Sequence, residues 1–226
     1  MRQRLFATLL IALVTAGAGF ALAPATGAQD DVPERIAVAR FSTGDRGGWR
    51  DESFAGETAY VFEAQGAVTA LHARAKGTAS GLYREIEIDL TKTPVVTWDW
   101  ALGGGKEGLP ARQKTGDDYP LRLYFVVKRG LFNLDTIAVQ YVWSLSEAVG
   151  SHWPNPFASG VMQIAVDSGT DQRGRFIRHS RDLRADFQKL FGETIDRIDV
   201  VAIMTDADNA GGVSEGWYGD VSFGPP

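Results

Sequence analysis

Residues 82–90 read Leu82-Tyr83-Arg84-Glu85-Ile86-Glu87-Ile88-Asp89-Leu90. Ile86, Ile88 and Leu90 alternate with Glu85, Glu87 and Asp89. Successive strand side chains point to opposite faces, so a period of two predicts a strand with one face on a core and the other in water. Outward from this segment, short alternating blocks broken by Gly, Asp, Asn and Pro recur at 36–41, 58–63, 68–75, 95–101, 121–128, 136–144, 161–167, 175–179, 197–204 and 217–223. That spacing predicts about eleven strands in one unit. One short helix is expected after residue 180: Ser180 can cap it, Asp182 suits its first turn, Leu183, Phe187, Leu190 and Phe191 share a stripe, and Gly192 ends it. Strands that do not alternate with helices predict an all-β fold, an antiparallel two-sheet sandwich of jelly-roll type.

Composition narrows the chemistry. The chain has 226 residues, 44% hydrophobic and 23% charged, with 23 basic and 28 acidic side chains for a net charge of −5. No cluster of Lys and Arg offers a footprint for phosphate backbones, so nucleic acid is not an expected partner. With no cysteine at all, a disulfide framework, a thiolate zinc site and a thiol nucleophile are excluded.

Residues 1–28 read as a signal peptide. Arg2 and Arg4 supply the positive start, Leu5 to Val14 the apolar run, and Thr26-Gly27-Ala28 the small residues before a cut ahead of Gln29. The apolar stretch 5–23 is nearly long enough to serve as an uncleaved anchor instead. Cleavage removes two Arg and no acid, leaving a single acidic domain at 29–226 with a net charge of −7, no membrane span, and a periplasmic or secreted location.

Two motifs that suggest chemistry sit in the wrong context. Gly103-Gly104-Gly105-Lys106-Glu107-Gly108 matches a dinucleotide fingerprint, but Leu109-Pro110 follow where a helix is required, so a loop is expected. Gly212-Val213-Ser214-Glu215-Gly216 matches a nucleophile elbow, yet a strand follows Ser214 rather than a helix. His72, His152 and His179 lack the spacing of a metal site; His72 and Arg74 share one side of their strand.

Three acidic segments stand out: Gly116-Asp117-Asp118-Tyr119-Pro120 before a strand, Thr205-Asp206-Ala207-Asp208-Asn209 after one, and Trp217-Tyr218-Gly219-Asp220 opening the last. By alternation Tyr218 and Asp220 would share a face away from Trp217 and Val221. Each Asp and Asn can be a turn former through bonds to nearby backbone. Together, Asp206, Asp208 and Asn209 bring hard oxygens close enough to suit Ca²⁺ in an irregular loop, since Ala210 and Trp217 break the EF-hand pattern. These segments, with Ala-Ser-Gly-Leu-Tyr-Arg at 79–84 and Trp-Asp-Trp at 98–100, resemble an uncharacterised family of exported bacterial proteins classed as a domain of unknown function. The resemblance implies a β-sandwich similar to galactose-binding-type and carbohydrate-binding modules, and no reaction.

Trp98 and Trp100 share a face with Val96, which reads as core, while Asp99 points away and could join Arg122 and Tyr124 in a sugar-holding surface extended by Trp143, Trp153 and Pro154-Asn155-Pro156. The expected ligand-binding set is Asp117, Asp118, Tyr119, Asp206, Asp208, Asn209, Trp217, Tyr218 and Asp220, with Asp118, Asp206, Asp208 and Asp220 converging and no residue assigned to catalysis. A non-catalytic module binding a saccharide or glycoconjugate of the cell envelope is the leading expectation. The alternatives are a periplasmic structural partner that binds another protein through a sheet edge, and a glycoside-processing enzyme using two of those carboxylates.

Overall fold

The computed structural model describes residues 35–226; the signal peptide expected at 1–28 lies outside the described residues. Thirteen strands form two sheets. The first holds β1 (Ile36–Ala39), β3 (Ala59–Gln65), β4 (Val68–Lys76), β6 (Val95–Gly104), β11 (Ile177–Asp182) and β13 (Val213–Gly224), in the order β11-β6-β13-β4-β3 with β1 also on β13. The second holds β2 (Arg50–Ala55), β5 (Ala79–Asp89), β7 (Arg122–Val127), β8 (Ile137–Ser144), β9 (His152–Pro154), β10 (Val161–Ser168) and β12 (Arg197–Asp206), in the order β2-β5-β12-β7-β8-β10-β9. The expected sandwich is the observed one.

Two strands escape the alternation rule. β2 is charged over its first half and buries only Phe54, and β9 is three residues long and ends in a proline. The sheets are also not wholly antiparallel, because β8 and β10 pair parallel, joined by a connection that contains β9.

Between the sheets lies one core. Trp98, Trp100, Phe125, Tyr141, Trp143 and Phe223 are its large members, with Trp98 stacked on Tyr141 at 5.1 Å. The helix, α1 (Leu183–Phe191), buries Leu183 and Phe187 in this core. Its cap is Asp182, which accepts from the Ala185 N–H at 2.9 Å, while Ser180 belongs to β11. Gly192 ends the helix at a φ of 70°, a left-handed turn that glycine adopts without strain.

Gly103 and Gly104 end β6 and no helix follows, and Ser214 is buried inside β13; neither sequence motif has its catalytic context. The histidines stand apart. His72 lies between Glu63 and Glu215 on the outer face of the six-stranded sheet, His179 pairs with Asp167 at 2.7 Å, and His152 is exposed.

The outer face of the seven-stranded sheet governs the site. In β5 the solvent side is charged at Glu85, Glu87 and Asp89, but residues 79–83 are buried on both sides. β7 and β8 are buried throughout, and the outward residues Phe54, Tyr83, Tyr124, Val126, Ala138, Val161, Val200, Ala202 and Met204 form a second apolar cluster. The sheet is therefore dry on both faces along β7, β8 and the first half of β5, which in sequence reads as continuous apolar runs rather than alternation.

Candidate functional site

Arg122, the first residue of β7, organises the acidic segments. Its side chain is on the outer face and 1% exposed. The guanidinium donates Nε to Asp206 Oδ1 at 2.9 Å, Nη2 to Asp206 Oδ2 and to the Asp117 carbonyl, and Nη1 to Asp117 Oδ2 at 3.4 Å. The Tyr119 ring lies beneath it, 4.4 Å from the guanidinium carbon, and the Tyr119 N–H donates to Asp206 at 3.0 Å. Asp117 also accepts from Asn155 and Gln163. Asp118 pins the second loop: its oxygens take the N–H of Asn209 at 3.0 Å, the Asn209 side-chain amide at 3.0 Å and the N–H of Ala210 at 2.7 Å. The Asn209 amide further donates to Asp208 at 3.2 Å.

The segments 116–120 and 205–209 thus meet, bringing together Asp117, Asp118, Tyr119, Asp206, Asp208 and Asn209. Tyr218 reaches the same place from the other sheet. Its hydroxyl accepts from the Arg122 N–H at 3.1 Å, donates to the Met204 carbonyl at 2.7 Å and meets Thr205 Oγ1 at 3.0 Å.

Trp217 and Asp220 do not join them. Both face outward from the six-stranded sheet: Trp217 stacks on His72 at 4.8 Å and donates to Glu63 at 3.0 Å, and Asp220 accepts from the N–H and hydroxyl of Ser42. Simple alternation had placed Tyr218 with Asp220. A bulge between Tyr218 and Val221 inserts a residue, so Tyr218 and Val221 point inward while Trp217 and Asp220 point outward. Asp99 is likewise separated from Arg122 and Tyr124. It pairs with Arg178 at 2.8 Å on the outer face of the six-stranded sheet, whereas those two lie on the outer face of the seven-stranded one. Trp143 is core, bonded through its indole to the Gly169 carbonyl at 2.9 Å.

Burial dominates the electrostatics. It pushes Asp206 well above the usual carboxylate range, with the charges of Asp118 and Asp117 adding to the rise and Arg122 opposing it. Asp117 is also raised by burial, against the pull of Arg122. Burial acts against the charged guanidinium of Arg122, but the two carboxylates outweigh it and the group is held more firmly protonated than usual. One cation is thus shared by two buried carboxyl groups, both of which burial biases toward the protonated form.

Asp118, Asp206 and Asp208 place carboxylate oxygens within 4.8 Å of one another, so calcium is the natural question. The donor set does not fit it. Every oxygen of Asp118 and Asp206 already accepts an N–H, and the Arg122 guanidinium already supplies Asp206 with a cation. A chelator is expected to leave Tm unchanged and added Ca²⁺ to raise it by no more than about 1 °C; a calcium-dependent rise of several degrees would overturn this. Nor do these acids form an open pair across a cleft: Asp206 is 0% and Asp118 8% exposed, and Asp220 is on the opposite surface.

What sequence reasoning missed lies beside this cluster. A single register row crosses all seven strands: Arg50, Tyr83, Ala202, Tyr124, Gln140, Gln163 and Trp153. Gln140 and Gln163 are both 0% exposed. Neither amide atom of Gln140 has a partner among the described residues, and the Gln163 oxygen also lacks one. Exchanging the amide nitrogen and oxygen of Gln140 cures nothing, since both atoms are unpaired. The available signal was a glutamine set within the apolar part of each of two strands, Ile137–Ser144 and Val161–Ser168.

Among solved structures, the chain is similar to TmCBM61 in complex with β-1,4-galactotriose (14% identity, 83% of this chain and 94% of that one, TM-score 0.40). It is also similar to a family 12 glycoside hydrolase (6%, 84% and 99%, 0.47) and to endoglucanase cel12A from Rhodothermus marinus (9%, 85% and 100%, 0.45). No curated protein matches the sequence. Residues 47–222, which contain the Arg122 cluster and all seven strands of the row, match the family model described as protein of unknown function (DUF3047), and the chain belongs to that family.

Proposed function

We propose that this protein is an exported, non-catalytic binding module. Its ligand is a saccharide, or the sugar part of an envelope glycoconjugate, held on the row from Tyr83 to Trp153. Export to the periplasm or beyond rests on the N-terminal pattern of Arg2, Arg4, an apolar run and Ala28; no helix among the described residues is long and apolar enough to cross a membrane.

The observation that carries the reading is the glutamine pair. Buried amides are almost always hydrogen-bonded, and each unpaired group costs about 1–3 kcal/mol. Three unpaired amide atoms side by side are the complement of a ligand whose groups both donate and accept, as sugar hydroxyls do. Tyr83, Tyr124 and Trp153 stand in the same row and are buried in the free protein, so binding has to uncover the row before their rings can meet the C–H faces of a pyranose. Arg122 beside them is already met by Asp206 and Asp117, so the row favours a neutral ligand.

Gln140→Leu tests this with two readouts that move in opposite directions. The substitution keeps side-chain volume nearly constant and removes both unpaired atoms, so the free protein is expected to gain about 1 kcal/mol in urea denaturation. Calorimetry with the best saccharide from a glycan array is expected to show affinity reduced by about tenfold or more. An array on which no saccharide binds, or a variant that binds as the parent does, would rule the reading out.

A further inference from the structure

A pocket of about 260 Å³ opens at the opposite edge of the sandwich, between β1 and the loop that precedes β2. Its lining includes Arg40, Asp45, Gly47, Trp49, Arg84 and the backbone of residues 37–39. Arg84 is anchored by one guanidinium N–H on the Val38 carbonyl, the same oxygen that takes the Trp49 indole N–H at 3.2 Å. Among the described residues neither Arg84 nor Arg40 meets a carboxylate, whereas Arg112, Arg122, Arg178, Arg181 and Arg184 each do. In an acidic chain, two such arginines on one pocket are a retained positive charge. Asp45 contributes one carboxylate to the lining, with Oδ1 committed to the Gly47 N–H at 2.7 Å.

We infer that this pocket binds a sugar acid, a polyhydroxylated monoanion such as a uronate. Two guanidinium groups against one carboxylate leave a single positive charge, which one ligand carboxylate balances through the bidentate geometry arginine favours. Asp45 then serves as acceptor for ligand hydroxyls, and its charge disfavours a phosphate ester, which would set a second negative charge beside it. Trp49, packed on Phe41, closes the pocket on its core side. This assignment stands apart from the glutamine row: no residue that lines the pocket belongs to that row, and Gln140 and Gln163 lie on β8 and β10.

The test is calorimetric titration of the purified chain at low salt with sodium glucuronate and sodium galacturonate, alongside glucose, galactose and inorganic phosphate. Saturable binding of at least one uronate is expected, reduced about tenfold or more by Arg40→Gln and by Arg84→Gln and weakened by added salt. Arg40 is exposed, so Arg40→Gln is expected to keep the parent Tm and to separate lost recognition from lost folding. Gln140→Leu is expected to leave uronate affinity unchanged. The inference is overturned if neither uronate binds, if Arg40→Gln binds as the parent does, if phosphate binds as tightly as the uronates, if neutral sugars displace them, or if Gln140→Leu abolishes their binding.

Discussion

Arg122→Met is expected to cost the fold about 3–5 kcal/mol, measured as the loss in unfolding free energy by urea denaturation. The cause is the company Arg122 keeps. It is the cation for Asp206 and Asp117, both essentially inaccessible to water, and removing it leaves buried carboxylates uncompensated. Replacing the partner too should return part of the loss, because Arg122→Met with Asp206→Leu removes the charge along with the cation. The deficit should also depend on pH with a definite sign. Burial raises the folded-state pKa of Asp206 and Asp117 above that of the unfolded chain, so the folded protein keeps these protons longer. Their contribution is fullest below the unfolded value and is lost as pH rises through the folded one, by about 1.4 kcal/mol per unit of difference. Without Arg122 to oppose the rise that interval widens. The variant is therefore expected to trail the parent most at pH 8 and least near pH 4. A cost below about 1 kcal/mol, or a deficit that grows on acidification, would show that the cluster is not held by this ion pair.

The parts of this molecule that were legible in the sequence are those where local pattern and burial agree. Glu85-Ile86-Glu87-Ile88-Asp89 reports one wet and one dry face, and the structure has both. Trp98 and Trp100 alternate with Thr97 and Asp99 and go to the core together. Alternation says which side of its own strand a residue occupies, but not which sheet the strand joins. That is why Asp99 and Arg122 could be imagined on one surface and lie on opposite ones. It also assumes one residue per step, and the bulge after Tyr218 breaks the count, putting Asp220 on the opposite face from Tyr218. The acidic segments were visible as a set, and seven of their residues do gather, Tyr218 among them. Their partner Arg122 was visible too, on the face of its strand that carries Tyr124, but nothing local ties it to Asp117 or Asp206. Gln140 and Gln163 are 23 residues apart and meet only through the parallel pairing of β8 and β10, a nonlocal contact that no local pattern announces.

Gly116→Ala is expected to cost about 3 kcal/mol although it adds a single methyl group to a loop. A Cβ at this position would lie 2.5, 2.6 and 2.7 Å from the O, C and N of Pro110. Those are backbone atoms, held in place because the Gln113 N–H bonds the Pro110 carbonyl at 2.8 Å and the Gly116 N–H bonds the Gln113 carbonyl at 3.0 Å. The same turn receives the Tyr119 hydroxyl on the Ala111 carbonyl at 3.1 Å. Neither side can yield without moving Asp117, and with it the contact to Arg122 and the bond from Gln163. Gly116 is thus required for close approach, while Asp117, Asp118 and Tyr119 are required for what the turn then reaches. Gly108 supplies the control. Its φ of 70° makes alanine there strained, but nothing lies within 4 Å of the added carbon, so Gly108→Ala should cost only about 1–2 kcal/mol. Thermal and urea unfolding of the two variants should rank Gly116→Ala as the more damaging. The reverse order would mean that the loop slides off the sheet at little cost and that Asp117 is not a fixed wall beside the glutamine row.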